Sequence, residues 1–127
     1  MIGIVVVSHS ETLAEGVVEV ATDMASDATV IAAGGIEDGR IGTSVDRIGE
    51  AVEAAGEGTD GVVVLADLGS AVMNAEMALE ESDVEAVIAD APLVEGALNA
   101  AVSATGTKAT LESVREAAED ARYMDKT

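Results

Sequence analysis

With 127 residues, 49% of them hydrophobic, the chain is long enough for one domain, residues 1–127, that buries roughly two-thirds of its unfolded surface without staples. It has no cysteine and one histidine, which excludes a disulfide framework, a thiolate metal site and an imidazole-based one, and makes the reducing cytoplasm the expected compartment. The 25 acidic residues against 6 basic ones give a formal charge of -19, which rules against nucleic acid and anionic membrane as partners.

The opening run Ile2-Gly3-Ile4-Val5-Val6-Val7 is apolar with no polar alternation, as a strand covered on both faces would be. No basic segment precedes it and it is far too short to cross a bilayer, so neither a signal peptide nor a membrane span is expected. It ends at Ser8-His9-Ser10, which delivers the one imidazole to a polar turn. Ligands of parallel sheets bind just beyond the carboxyl ends of the strands. A lone histidine can also simply cap a turn, so the other polar clusters have to decide. Leu13, Val17, Ala21 and Met24 then recur at helical spacing. Ser8 with Glu11, or Thr12 with Glu15, fits a capping box, and either start places His9 beside a helix amino terminus, which attracts anions.

Thr29 to Ala33 reads as a second strand, closed by Gly34-Gly35, and Ile36 to Gly42 as a glycine-punctuated acidic loop. That loop lacks the Gly-Lys-Ser/Thr ending of a phosphate-binding loop, the spacing of a dinucleotide fingerprint and the carboxylate density of a calcium loop. Val45, Ile48, Val52 and Ala55 mark a second helix, capped by Thr43 or Ser44. Gly61 to Ala66 is a third strand, followed at once by Asp67-Leu68-Gly69-Ser70 and a helix with Ala71, Ala75, Ala78 and Leu79 on one face. Asp67 and Ser70 would be at home there as helix caps alone. Val84 to Ala89 is a fourth strand, with Pro92 suited to the first turn of a fourth helix, Leu93 to about Ala104, that is apolar on more than one side. Leu111, Val114, Ala118 and Ala121 mark a last helix, with Glu112, Arg115, Glu119 and Arg122 paired on its outer face.

Strands alternating with helices predict an α/β fold: a doubly wound, mainly parallel four-stranded sheet of order 2-1-3-4 with helices on both faces. Its switch point falls between the first and third strands, so His9 and the Asp67 to Ser70 turn face one another across a crevice. The acidic surface, only two lysines and a core of Ala, Val and Gly with Tyr123 as single aromatic fit adaptation to high salt. At about 1 M salt the screening length is ~3 Å, and self-repulsion largely vanishes.

Val5-Val6-Val7-Ser8-His9-Ser10, the loop Gly34 to Thr43, the turn Asp67 to Ala71 and Ala91-Pro92-Leu93-Val94-Glu95-Gly96 together resemble one family. It is that of the phosphotransfer subunit of phosphotransferase-system-dependent dihydroxyacetone kinase (DhaM-type), related to the mannose-type EIIA domain. The resemblance runs to about Gly106. It implies that His9 accepts a phosphoryl group from the phosphocarrier HPr and passes it to ADP held on the kinase's nucleotide-binding subunit. The ATP so formed phosphorylates dihydroxyacetone on a third subunit. The resemblance also implies Asp67 as orienter of the imidazole, Ser10, Gly69 and Ser70 as phosphoryl-binding residues, and Gly35, Asp38, Gly42 and Thr43 as lining or partner-docking positions. No cofactor and no metal is expected, and a homodimer is, because the fourth helix is apolar on more faces than one sheet covers and related domains pair. Some family members carry HPr-like and enzyme I-like domains behind this one, and a separate donor protein is expected here.

Mannose-type relatives have a double glycine and a proline where this chain has Asp67-Leu68-Gly69-Ser70-Ala71, which favours the kinase subunit. Two other readings stay open: an EIIA that donates to an EIIB in sugar uptake, and a regulatory module whose phosphorylation only signals. The imidazole chemistry suits all three, since a neutral histidine keeps one ring nitrogen free to form a covalent intermediate and phosphoryl transfer needs mainly alignment and charge stabilisation.

Overall fold

A computed structural model describes all 127 residues. Strands β1 (Gly3–Ser8), β2 (Val30–Gly34), β3 (Val62–Ala66) and β4 (Ala86–Ile88) form one sheet in the order β2-β1-β3-β4, with every pairing parallel. Between and after them run α1 (Glu11–Met24), α2 (Val45–Gly56), α3 (Gly69–Glu80), α4 (Leu93–Ala104) and α5 (Leu111–Asp120). The order is the expected one. No helix is long and apolar enough to cross a membrane.

β1 is central and wholly buried, and its alternating side chains feed two cores. Ile2, Ile4 and Val6 pack with Ala14, Val17 and Ala21 of α1, with α4 and with Val114 and Ala118 of α5. Val5 and Val7 pack on the opposite face with Ile48, Val52 and Ala55 of α2 and Ala71, Ala75 and Ala78 of α3. A strand covered on both faces has no use for a polar position, which is why its sequence is an unbroken apolar run. The helices meet it through alanine. Ala97, Ala100, Ala101 and Ala104 of α4 are fully buried, and side chains that small let α4 lie close to the sheet and to α5.

Several local expectations give way. The buried stripe of α1 is Ala14, Val17 and Ala21, while Leu13 and Met24 are exposed, because the helix sits on its alanines and turns its larger apolar side chains outward. Neither predicted capping box caps α1; Ser10 does, its hydroxyl accepting the N–H of Leu13 at 3.1 Å. Ser44, not Thr43, caps α2. Pro92 stands just outside α4 as its flanking residue, in extended conformation. On α4 itself Val94 and Val102 remain exposed, beside exposed Leu13, Val20 and Met24 of the neighbouring α1.

Candidate functional site

The site is made by register. β1 and β3 run parallel with Val7 opposite Ala66, and the pairing continues one step further as the N–H of Asp67 donates to the carbonyl of Val7 at 3.1 Å. His9 and Asp67, the residues that follow, therefore leave the sheet side by side at the switch point between α1 and α3.

The Asp67 carboxylate is fully engaged. Its Oδ2 accepts the Ser8 hydroxyl at 2.9 Å and the His9 backbone N–H at 3.0 Å, and its Oδ1 lies 2.9 Å from Nδ1 of His9. Burial by itself would raise the pKa of this carboxyl, but the backbone N–H of His9, its ring and the Ser8 hydroxyl outweigh that and hold it below the usual carboxylate value. An ionised carboxylate only accepts, so the hydrogen-bond network assigns the proton of the neutral ring to Nδ1. Nε2 is left with its lone pair, and the Ser70 hydroxyl donates to it at 2.7 Å. The imidazole remains 22% exposed, open to a reactant from solvent, against 13% for the carboxylate behind it.

Beyond Nε2 lies the amino terminus of α3. Its flanking residue, Leu68, has no side-chain cap, and the first turn contains no acidic residue. The N–H groups of Gly69 and Ser70 have no acceptor within the chain, since the first bonded amides are those of Ala71 and Val72 to the Leu68 carbonyl. A Cβ built on Gly69 would meet nothing within 4 Å, so the start of the helix is uncrowded on that side. Unpaired amides at a positive helix end, next to a nucleophilic nitrogen, can hold the oxygens of a phosphoryl group.

The loop from Gly34 to Thr43 forms the other wall. Gly34 passes so close to the start of α1 that a Cβ there would lie 2.6 Å from the Ser10 carbonyl oxygen. The Gly35 N–H donates to the Ser8 carbonyl at 3.1 Å and the Gly42 N–H to the His9 carbonyl at 2.8 Å; Gly42 does so at a φ of 144, which favours glycine. Thr43 is tied to α3, its hydroxyl accepting from Asn74 Nδ2 at 2.5 Å. Arg47 closes the loop's base, donating to the Gly34 carbonyl at 3.1 Å and to Glu11 at 2.8 Å.

The structure thus brings His9, Asp67 and Ser70 into direct contact, with Gly69 beside them and Gly35, Gly42 and Thr43 holding the wall. Ser10 is engaged as the α1 cap, with its own N–H donated to the Ser8 hydroxyl. Asp38 stands exposed in the 3-10 turn Glu37–Gly39, and its side chain bonds to none of these residues. Asp67 does not cap α3, contrary to the simple reading of its position. Ser8 and Asn74 escape the sequence reading. Ser8 was legible in principle, because a hydroxyl ending a fully buried strand must find a partner.

The family model described as "PTS system fructose IIA component" matches residues 3–115. The phosphoryl donor subunit DhaM of a PEP-dependent dihydroxyacetone kinase from Listeria innocua is 44% identical over 95 residues, 75% of each chain. The phosphotransferase subunit DhaM of Lactococcus lactis is 39% identical over 114 residues, 90% of each chain. The DhaM subunit of Escherichia coli is 46% identical over 112 residues, a match that spans 24% of that longer protein. Among solved structures, a protein of unknown function superposes with a TM-score of 0.81 at 30% identity, covering 94% of this chain and 93% of the other. A phosphotransferase-system EIIA from Streptococcus agalactiae shares the fold, with a TM-score of 0.70 at 18% identity over 97% of this chain and 93% of the other.

Proposed function

Since the chain belongs to the mannose-type EIIA family, among its DhaM-type phosphoryl donor subunits, we propose that it carries a phosphoryl group on Nε2 of His9 between a phosphocarrier and the ADP-loaded subunit of a dihydroxyacetone kinase. The observation that carries this reading is the Asp67–His9–Ser70 line, in which the carboxylate on Nδ1 leaves the Nε2 lone pair to the Ser70 hydroxyl, in front of a helix end with no side-chain cap.

In the first half-reaction Nε2 attacks phosphorus, the bond from phosphorus to the donor's imidazole nitrogen breaks, and the electron pair leaves with the donor. The ring becomes cationic at phosphorylation, and the Asp67 carboxylate on Nδ1–H stabilises that charge. The Ser70 hydroxyl is released from Nε2 and turns its proton to a phosphoryl oxygen, joined by the Gly69 and Ser70 amides. In the second half-reaction a terminal phosphate oxygen of ADP attacks the same phosphorus, and the pair returns to Nε2. ATP then serves the subunit that holds dihydroxyacetone. HPr is the proposed donor. Exposed Ile41 in the loop that walls the site, and exposed Leu68 and Met73 at the start of α3, offer apolar surface on which donor and acceptor dock in turn.

The whole chain, residues 1–127, acts in this reading as one cytoplasmic phosphotransfer domain. It works as a homodimer, supported by the exposed Val94 and Val102 of α4 beside Leu13, Val20 and Met24 of α1. Light scattering in molar salt is expected to give twice the chain mass; a single-chain mass at micromolar concentrations refutes the pairing. The -19 charge is read as adaptation to high salt, so the thermal midpoint should rise from dilute buffer to multimolar potassium chloride. A flat or falling midpoint contradicts it.

The function is tested by incubation with phosphoenolpyruvate, enzyme I and HPr. Acid-labile label is expected on the wild type and none on His9→Ala, and the labelled protein should discharge to the ADP-loaded kinase subunit. Discharge to an EIIB protein instead would assign the sugar-uptake role.

A further inference from the structure

The loop that walls the site carries a cation that the transfer chemistry described above does not use. Of the six basic side chains, Arg47, Arg115, Arg122 and Lys126 are paired with carboxylates, and only Arg40 and Lys108 are not. Lys108 follows α4 at the amino-terminal end of the sheet, where the N–H of Ile2 meets the carbonyl of Ala104. Arg40 is therefore the one unpaired basic side chain at the carboxyl end of the strands. Arg40 is exposed, and even Glu37 and Asp38, three and two residues away, leave it unpaired.

The loop gives that cation a fixed place. The Arg40 carbonyl accepts the Ile36 N–H at 3.0 Å, and Gly42, two residues on, donates to the His9 carbonyl at 2.8 Å. Two residues span at most about 7 Å, and an arginine side chain extended from Arg40 is of comparable length, so its head is long enough to bridge from the loop toward His9. The backbone is thus anchored to the reacting residue while the side chain makes no bond within the chain.

We propose that Arg40 is a phosphoryl-binding residue of this site: its guanidinium closes over His9 and pairs with the non-bridging oxygens of the group in flight. The inference rests on the phosphohistidine reading of His9 and goes beyond it. An arginine fits the task because its planar fork meets two oxygens of one phosphoryl group at once. It also supplies what the α3 terminus lacks. The Gly69 and Ser70 amides and the Ser70 hydroxyl are neutral donors, whereas the charge that spreads over the transferring group is best met by a full cation. Leaving Arg40 unpaired in the resting protein keeps it available for that moment.

The test separates contact with phosphorus from contact with a protein partner. Phosphoramidate phosphorylates imidazole directly: its P–N bond breaks, the P–Nε2 bond forms, and the electron pair leaves with ammonia. Labelling of His9 is measured with phosphoramidate and with phosphorylated HPr for the wild type, Arg40→Ala, Arg40→Lys and His9→Ala. The expected result is a rate about a hundredfold lower for Arg40→Ala with both donors, at unchanged circular dichroism and thermal midpoint, with part of the rate recovered by Arg40→Lys. A wild-type rate with phosphoramidate overturns the proposal; if only the HPr reaction is slowed, Arg40 is a docking residue instead. Label that persists on His9→Ala overturns the reading of the site itself, and the inference with it.

Discussion

Two helices begin at the carboxyl ends of neighbouring central strands, and they begin differently. At α1 the Ser10 hydroxyl takes up a first-turn amide, and Glu11 lies in the first turn, paired in turn with Arg47. At α3 no side chain caps the helix and no carboxylate lies in the first turn, which makes it the one α-helix of the five without one. A helix amino terminus carries roughly half a positive charge. In α1 the chain neutralises that charge internally; in α3 it is left for something else, and the only imidazole is held in front of it. In the proposed reading, this helix end serves as an anion site through what is withheld from it.

The comparison is broken most severely by Asp67→Asn. The new amide can accept from Ser8 and the His9 N–H through its oxygen, but its nitrogen then faces Nδ1 and forces the ring proton to Nε2, which removes the nucleophilic lone pair. Transfer to His9 is expected to fall on the order of a hundredfold to ten-thousandfold while the fold is kept. An unchanged rate would show that the carboxylate does not set the tautomer. The pH dependence has a definite sign. Because the folded Asp67 pKa lies below its value of 3.8 in the absence of structure, the ionised carboxylate stabilises the fold above about pH 4, and that contribution is lost as pH falls through the folded value. The gap in thermal midpoint between wild type and Asp67→Asn should therefore be full near neutrality and close in acid, and a gap that widens in acid would contradict the assignment.

Gly69→Asp converts the α3 terminus into one like α1. The position is open, so the fold tolerates it and stability stays level or rises by about 0.5 kcal/mol, whereas transfer slows at least tenfold because a carboxylate occupies the anion site. Urea unfolding and transfer kinetics are measured on the same sample; unimpaired transfer would place the phosphoryl group elsewhere. Ser10→Ala makes the opposite change at α1. It is expected to reduce stability by about 1 kcal/mol and to leave transfer within a few-fold of wild type. A large rate loss at unchanged stability would put Ser10 among the phosphoryl-holding groups.

Much of this was legible in the sequence. Strand order, the two-sided burial of β1 and the meeting of His9 with Asp67 and Ser70 follow from the apolar runs and from parallel topology, because the chain returns to one end of the sheet before each helix. Spacing misplaces the cap of α1 because three hydroxyl residues, Ser8, Ser10 and Thr12, alternate along five positions, and spacing alone does not say which side chain is still outside the helix. Ser8 was spent on burial with Asp67 instead. Hydrophobic periodicity misleads on the facing of α1 because it weights Leu13 and Met24 above Ala14, while close packing against a valine sheet prefers the alanine. The missing carboxylate of α3 was readable in the sequence, as the residues that open the helix, Gly69 to Val72, include no Asp or Glu.

The central claim is that Asp67 holds the ring proton on Nδ1 and presents Nε2 to the open end of α3. It is tested most directly by phosphorylating protein labelled with nitrogen-15 in its single histidine and locating the phosphorus by its coupling to the ring nitrogens. The account requires phosphorus on Nε2, with Nδ1 still protonated on the carboxylate. Phosphorus on Nδ1 would contradict it.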